Sequence, residues 1–98
     1  MNRPLIIRPD AQIDIADAYR WYDKRSEGLG LQFAKVTDAC LESIRRNPQR
    51  YPRVYKQIQR ALLKRFPFAV LFLVRNEAII VVGCIHVRRS PRLWKKRL

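Results

Sequence analysis

Apolar positions follow two different periods along this chain, and the switch between them sets the expected architecture. A short apolar run, Leu5-Ile6-Ile7, reads as an edge or first strand. Pro9 ends it and suits the first position of a helix, with Asp10 in the first turn where the helix dipole favours an acid. From there Ala11, Ile15, Ala18, Tyr19 and Tyr22 recur at helical spacing and form one apolar stripe. Ile13 and Trp21 fall outside it, and either pad the flank of a second helix or belong to a binding surface. Gly28 and Gly30 punctuate a turn. A second periodic segment then places Leu29, Phe33, Val36, Thr37, Cys40 and Ile44 on one face, opposite Lys35, Asp38, Glu42 and Arg45. Pro48 bars its continuation, so the pattern predicts a helical hairpin.

After Pro52 the helical period is lost. Residues 54–66 mix β-branched, aromatic and basic side chains up to Pro67. Two continuous apolar runs follow, Ala69–Val74 and Ile79–Ile85, joined by the short Arg75-Asn76-Glu77-Ala78 segment, which is the signal of a β-hairpin. The expected fold class is α+β: an N-terminal strand, a helical hairpin, then a three-stranded antiparallel C-terminal segment, giving one sheet packed on two helices within a single domain, 1–98. Neither hairpin strand alternates apolar with polar, so both faces of the sheet are apolar, and two helices can cover only one. The other face needs the C-terminal segment with Trp94, or a partner chain.

Composition narrows the function classes. Apolar residues make up 48% of the 98, enough for one compact core. Both long apolar runs fall well short of the ~20 residues that span a bilayer, and MNRPLIIRPD carries no signal-peptide pattern. Cys40 and Cys84 sit in unrelated apolar contexts without a CxxC or Cys/His cluster, which reads as two buried reduced thiols. These features imply a cytoplasmic protein without a metal, a cofactor, a small-molecule substrate or a membrane partner. Charge is more informative. Residues 1–47 carry 8 basic and 7 acidic side chains, whereas residues 48–98 carry 13 basic side chains and Glu77 as the lone acid. So lopsided a field marks a face for nucleic acid or for an acidic protein, and charge alone does not choose between them.

Several anchors together carry a family resemblance. They are Ala11…Asp14-Ile15…Trp21-Tyr22, Gly28-Leu29-Gly30…Phe33, Asn47-Pro48…Tyr51-Pro52, Arg65-Phe66-Pro67-Phe68-Ala69-Val70 and His86-Val87-Arg88-Arg89-Ser90-Pro91…Trp94…Arg97. In this order, and over nearly the whole chain, they resemble the ParE/RelE toxins of type II toxin–antitoxin modules, sometimes labelled plasmid-stabilisation proteins. The ParE branch is the nearer one. The resemblance implies a toxin neutralised by an acidic, partly disordered, ParD-like antitoxin, with Trp21, Arg65, Phe72 and Trp94 as expected antitoxin contacts. ParE-like members poison DNA gyrase, and RelE-like members cut messenger RNA in the ribosome.

Metal-free RNA cleavage needs a base for the 2′-OH, an acid for the leaving oxygen and cations for the phosphate. Arg65, His86 and Arg89 are the candidates for such a site. RelE-type nucleases place a tyrosine near the C-terminus, but no tyrosine follows Tyr55 here, and Trp94 occupies that neighbourhood with an indole that is a donor only. By strand parity with Ile80, Val82 and Cys84, His86 reads as a structural histidine. The acid/base set is incomplete, which favours a gyrase poison acting by binding, with the mRNA endoribonuclease as the alternative. Arg88, Arg89, Arg92, Trp94, Lys95 and Arg97 are the expected target contacts, because arginines interleaved with an aromatic suit protein hot spots and base stacking alike.

Overall fold

The computed structural model describes residues 3–98. Its elements are β1 (Leu5–Ile7), α1 (Pro9–Arg25), α2 (Leu29–Arg46), a single 3₁₀ turn (Pro48–Arg50), β2 (Arg53–Tyr55), β3 (Ile58–Leu62), β4 (Phe68–Arg75), β5 (Ala78–His86) and a short α3 (Arg92–Lys95). They build one five-stranded sheet in the order β1-β5-β4-β3-β2. β1 is an edge strand and pairs parallel with β5, while every other pair is antiparallel. The class and the packing of the sheet on two helices are as expected. The strand count is one higher, because residues 54–66 hold two strands rather than one. β2 is three residues long and largely exposed, so no apolar period announces it. Lys56, at φ +50°, turns the chain between β2 and β3. The β4–β5 turn is equally tight: Asn76 and Glu77 both have positive φ, as a two-residue hairpin of this twist requires.

α1 and α2 pack on one sheet face. Gly30 lies inside α2 rather than in the preceding turn, and a Cβ there would stand 2.7 Å from the Tyr19 carbonyl oxygen, so glycine allows the two helices their close approach. Asp23, near the end of α1, accepts hydrogen bonds from the Gly28 and Gly30 amides and caps the start of α2. Beneath the helices Tyr22, Phe33, Phe66 and Phe68 form an aromatic cluster with ring centroids 4.8–6.0 Å apart. The Phe66-Pro67-Phe68 segment thus serves this core, with both phenyl rings packed on Tyr22 and Phe33. Leu41 joins the buried face of α2. Ile13 and Trp21 stay exposed, which settles their role: they do not pad the second helix.

One irregularity in β5 decides what faces where. Leu71 pairs with Gly83 but Phe72 pairs with Val81, so Val82 has no partner on β4 and forms a bulge. Before the bulge Ile79 and Val81 face the helices; after it Cys84 does. Ile80, Val82 and Ile85 face the opposite side. The parity that grouped His86 with Ile80 and Val82 is therefore broken, and His86 stands on the helix side with Cys84, its ring 5.3 Å from that of Phe68.

The second apolar face is covered by the chain's own C-terminal segment. Trp94 closes a small core of Ile58, Leu71, Leu73, Val82 and Ile85, with Tyr55 and Ile80 at its margin. Its indole stacks edge-on against Tyr55 at 5.9 Å. Among the described residues no helix is long and apolar enough to cross a membrane. Because Trp94 is the only large side chain the tail adds to this layer, Trp94→Ala should cost about 3 kcal/mol of unfolding free energy. Urea denaturation monitored by far-UV circular dichroism would measure it, and a loss under about 1 kcal/mol would mean that the tail is not a core element.

Candidate functional site

A groove of about 610 Å³ runs between α1 and the open end of the β4–β5 hairpin. Asp14, Asp17, Ala18 and Trp21 line it from α1, and Pro67, Phe68, Ile85 and His86 from the sheet, with Tyr22 and Cys84 deeper in. Arg88 and Arg89, just past β5, complete the wall opposite α1. The groove is mainly apolar and aromatic, with carboxylates on one rim and guanidiniums on the other, a form suited to recognising an extended segment with both apolar and acidic side chains. Trp21 is half exposed at its mouth and is held from behind by the Arg25 guanidinium, 4.3 Å from the ring centroid.

His86 has a defined structural task here. Its Nδ1 accepts a hydrogen bond from the Arg88 backbone N–H at 3.1 Å, and its carbonyl accepts one from Arg89 N–H at 2.9 Å, so it shapes the turn that aims both arginines. With Nδ1 engaged as an acceptor, the free ring position is Nε2. Tyr22 is the tyrosine that lines the groove, and burial raises its phenol above the usual value, away from use as a base near neutrality.

The remaining expected site residues are dispersed. Arg65 adopts φ +69° and donates to Gln32 Oε1 on α2 at 3.0 Å, outside the groove that holds His86 and Arg89. Phe72 lies wholly inside the helix-side core, packed on Tyr51. Trp94 is buried in the opposite core. Lys95 reaches back over Tyr55, its ammonium 4.2 Å from the ring centroid, and Lys56 approaches the same ring at 5.3 Å. Arg92 is exposed on α3. Arg97 alone among the basic side chains from 48 to 98 has a carboxylate within 4 Å among the described residues. Its guanidinium grips Asp14 through two bonds, Nη1–Oδ2 at 2.6 Å and Nη2–Oδ1 at 3.0 Å, and Nη1 also donates to the Val82 carbonyl at 3.0 Å. Hydrogen bonding to Asp14 holds the Arg97 pKa above its already high value, so its charge is fixed.

Sequence reasoning missed the partnership of Asp14 with Arg97, 83 positions apart, and the contributions of Asp17, Pro67 and Phe68 to the groove. Asp14, Pro67, Phe68 and Arg97 stood among the anchors of the family resemblance, but nothing local in the sequence pointed to their joint placement.

No family model matches the chain, and no curated protein matches it. Among solved structures it is similar to a chain from the "Chromosomal ParDE TA system from P. aeruginosa", with a TM-score of 0.77 and 16% identity over 86% of this chain and 95% of that one. The chain has the ParE-like fold. At that identity, what the two ParE-like folds have in common is the path of the backbone, while the side chains of the groove and the tail have to be read from this chain itself.

Two measurements check the site's geometry. Acrylamide should quench the two tryptophans in separate phases, Trp21 readily and Trp94 weakly, and Trp21→Phe should remove the accessible phase; a single accessible phase would contradict the burial of Trp94. Burial pushes the Cys84 thiol up to about 12, helped by the negative charges of Asp14 and Cys40, and pushes Cys40 up to about 11. Both thiols should react with a thiol reagent at pH 7.5 at least about 100-fold more slowly than in urea. The unfolded chain loses these protons first, so their contribution to stability is complete below about pH 9 and is lost as pH rises through 11 to 12.

Proposed function

We propose that this chain is the toxin of a type II toxin–antitoxin module, held inactive inside the cell by an acidic antitoxin and acting by binding DNA gyrase. The observation that carries this reading is the likeness of the fold to the ParDE chain. The charge distribution supports it: among the described residues the exposed cations of the C-terminal half lack internal carboxylate partners, unlike the shielded Arg97, and are left for an external one.

The antitoxin is an acidic segment with apolar anchors, disordered when free and folding as it binds. It enters the groove at Trp21, which offers a large exposed ring, and meets Arg88 and Arg89 on the far rim. Arg65, exposed beside Gln32, adds a further charged contact. Phe72 and Trp94 act from beneath, by shaping the two sheet faces rather than by touching the partner. Arg88, Arg89, Arg92 and Lys95 form the surface that meets the target.

Binding rather than bond cleavage is the better reading, because the three residues expected for a nuclease site, Arg65, His86 and Arg89, do not meet in the groove. The Nδ1 of His86 is occupied, Tyr22 is held protonated by burial, and Arg65 does not join His86 and Arg89.

Expression of the chain alone should arrest growth and induce the DNA-damage response, a short acidic protein should be encoded beside it, and coexpression of that protein should relieve the arrest. The purified chain should inhibit gyrase supercoiling, and Arg88→Glu/Arg89→Glu should weaken inhibition about tenfold or more. Ribosome-bound messages cut at codon positions, with cutting abolished by His86→Ala or Arg89→Ala, would instead establish the endoribonuclease. Trp21→Ala should leave the melting temperature within a few degrees and reduce antitoxin affinity about 30-fold, as for loss of a central aromatic anchor; titration calorimetry with the coexpressed partner reads this directly.

A further inference from the structure

Past its hydrogen bond to Pro67, the C-terminal segment has almost no backbone hold on the rest of the molecule. Val87 N–H donates to the Pro67 carbonyl, Arg88 and Arg89 N–H turn back to His86 at the end of β5, and beyond them every backbone bond stays within the segment itself, through Leu98 N–H to the Lys95 carbonyl. Three side chains tie it down: Trp94 in the second core, Lys95 on Tyr55, and Arg97 on Asp14. The first two act on the sheet face away from the helices. Arg97 alone carries the segment around the edge of β5 to α1.

The anchorage uses the bulge. Beyond Ile7 the β5 edge has no strand beside it, and the last backbone contact from that side is Arg8 N–H to the Val81 carbonyl. The bulge then turns Val82 C=O and Cys84 N–H outward. Asp14 Oδ2 accepts from Cys84 N–H at 3.0 Å, while Arg97 Nη1 donates to Val82 C=O. The pair thereby supplies one acceptor and one donor to the open edge, in the place where a neighbouring strand would do so. It is well shielded, with 12% of the Asp14 side chain and 19% of the Arg97 side chain exposed. Gly83 makes room for it: a Cβ there would stand 3.0 Å from Arg97 Nη1 and 3.4 Å from Asp14 Oδ2.

We infer that Asp14 and Arg97 are positioning residues that latch the C-terminal segment as a strap around the β5 edge and so hold Arg88, Arg89 and Arg92 as one ordered cationic wall. The arginine-bearing stretch lies between two fixed points, the His86 turn and the Trp94–Arg97 anchor. Losing the Arg97 contact leaves the second point held by Trp94 and Lys95 on the far sheet face alone, so the stretch is no longer drawn toward α1 and samples more conformations, and any partner then has to order it on binding, at a cost in affinity. Shielded bidentate pairs resist salt, so moderate ionic strength does not open the latch. The ordering of the strap is independent of what the protein binds; its effect on target binding rests on the gyrase reading.

Asp14→Asn separates the latch from the fold, since an asparagine oxygen can still accept from Cys84 N–H while the ion pair is lost. Arg97→Gln removes the other half. Hydrogen exchange on the full-length chain should show residues 88–98 exchanging at least about tenfold faster in both variants, with the β4–β5 amides unchanged. Arg97→Lys, which keeps the charge without the fork, should fall between them and the parent. Unchanged exchange in the strap would overturn the inference. So would an equal loss of protection in strap and sheet in both variants, because the pair would then serve global stability. In the same variants gyrase inhibition should weaken about tenfold. Normal inhibition with a loosened strap would separate the two ideas, retaining the latch and removing it from target binding.

Discussion

The hairpin of β4 and β5 presents apolar side chains on both of its faces, and in a chain this short that constraint organises everything else. A sheet of this kind left bare on one side would expose Leu71, Leu73, Val82 and Ile85 together, a contiguous patch that a stable monomer does not tolerate. The helical hairpin covers one face through the Tyr22–Phe33–Phe66–Phe68 cluster. On the other, the Trp94 indole of the four-residue α3 is enough, packed over Leu71, Leu73, Val82 and Ile85 and edge-on to Tyr55. The cover is small, and it is carried by a segment whose other residues are mostly cationic.

That economy links stability to function. The tail that completes the second core also carries Arg88, Arg89, Arg92, Lys95, Lys96 and Arg97, so the same segment is a structural element and, in the proposed function, the binding element. Its position is fixed by contacts at its ends, and the side chains between them face solvent. Arg88 and Arg89 consequently form a wall of the groove without being part of any core, while α1 provides the facing wall with Asp17 and Trp21. The groove thus joins the nearly neutral first half of the chain to the strongly basic second half. A partner with acidic and apolar side chains meets complementary chemistry on one side and an aromatic surface on the other.

Several individual roles follow from the irregular features rather than from the regular ones. The β5 bulge moves His86 to the helix side, where it shapes the turn ahead of the arginines. It also frees the backbone groups that Asp14 and Arg97 satisfy. The positive φ of Arg65 directs its side chain to Gln32, away from the groove, which is why three residues that could have formed a nuclease set do not converge.

Much of this was legible in the sequence. Helical spacing from Ala11 to Tyr22 and from Phe33 to Ile44 defined the two helices, because an amphipathic stripe is a local property of the chain. The continuous apolar runs around Asn76-Glu77 defined the hairpin and the need to cover two faces for the same reason. The charge asymmetry was visible in a count. β2 was not legible, since three mostly exposed residues carry no period. Nor was the facing of His86: a one-residue bulge inverts strand parity and is set by pairing with β4, not by the local sequence. Whether Trp94 or a partner covered the second face was open until the chain's path was known, as was the pairing of Asp14 with Arg97 across 83 positions. Sequence determines what each segment must bury; only the tertiary structure decides which segment buries it, because burial is satisfied by whatever the fold brings within contact distance.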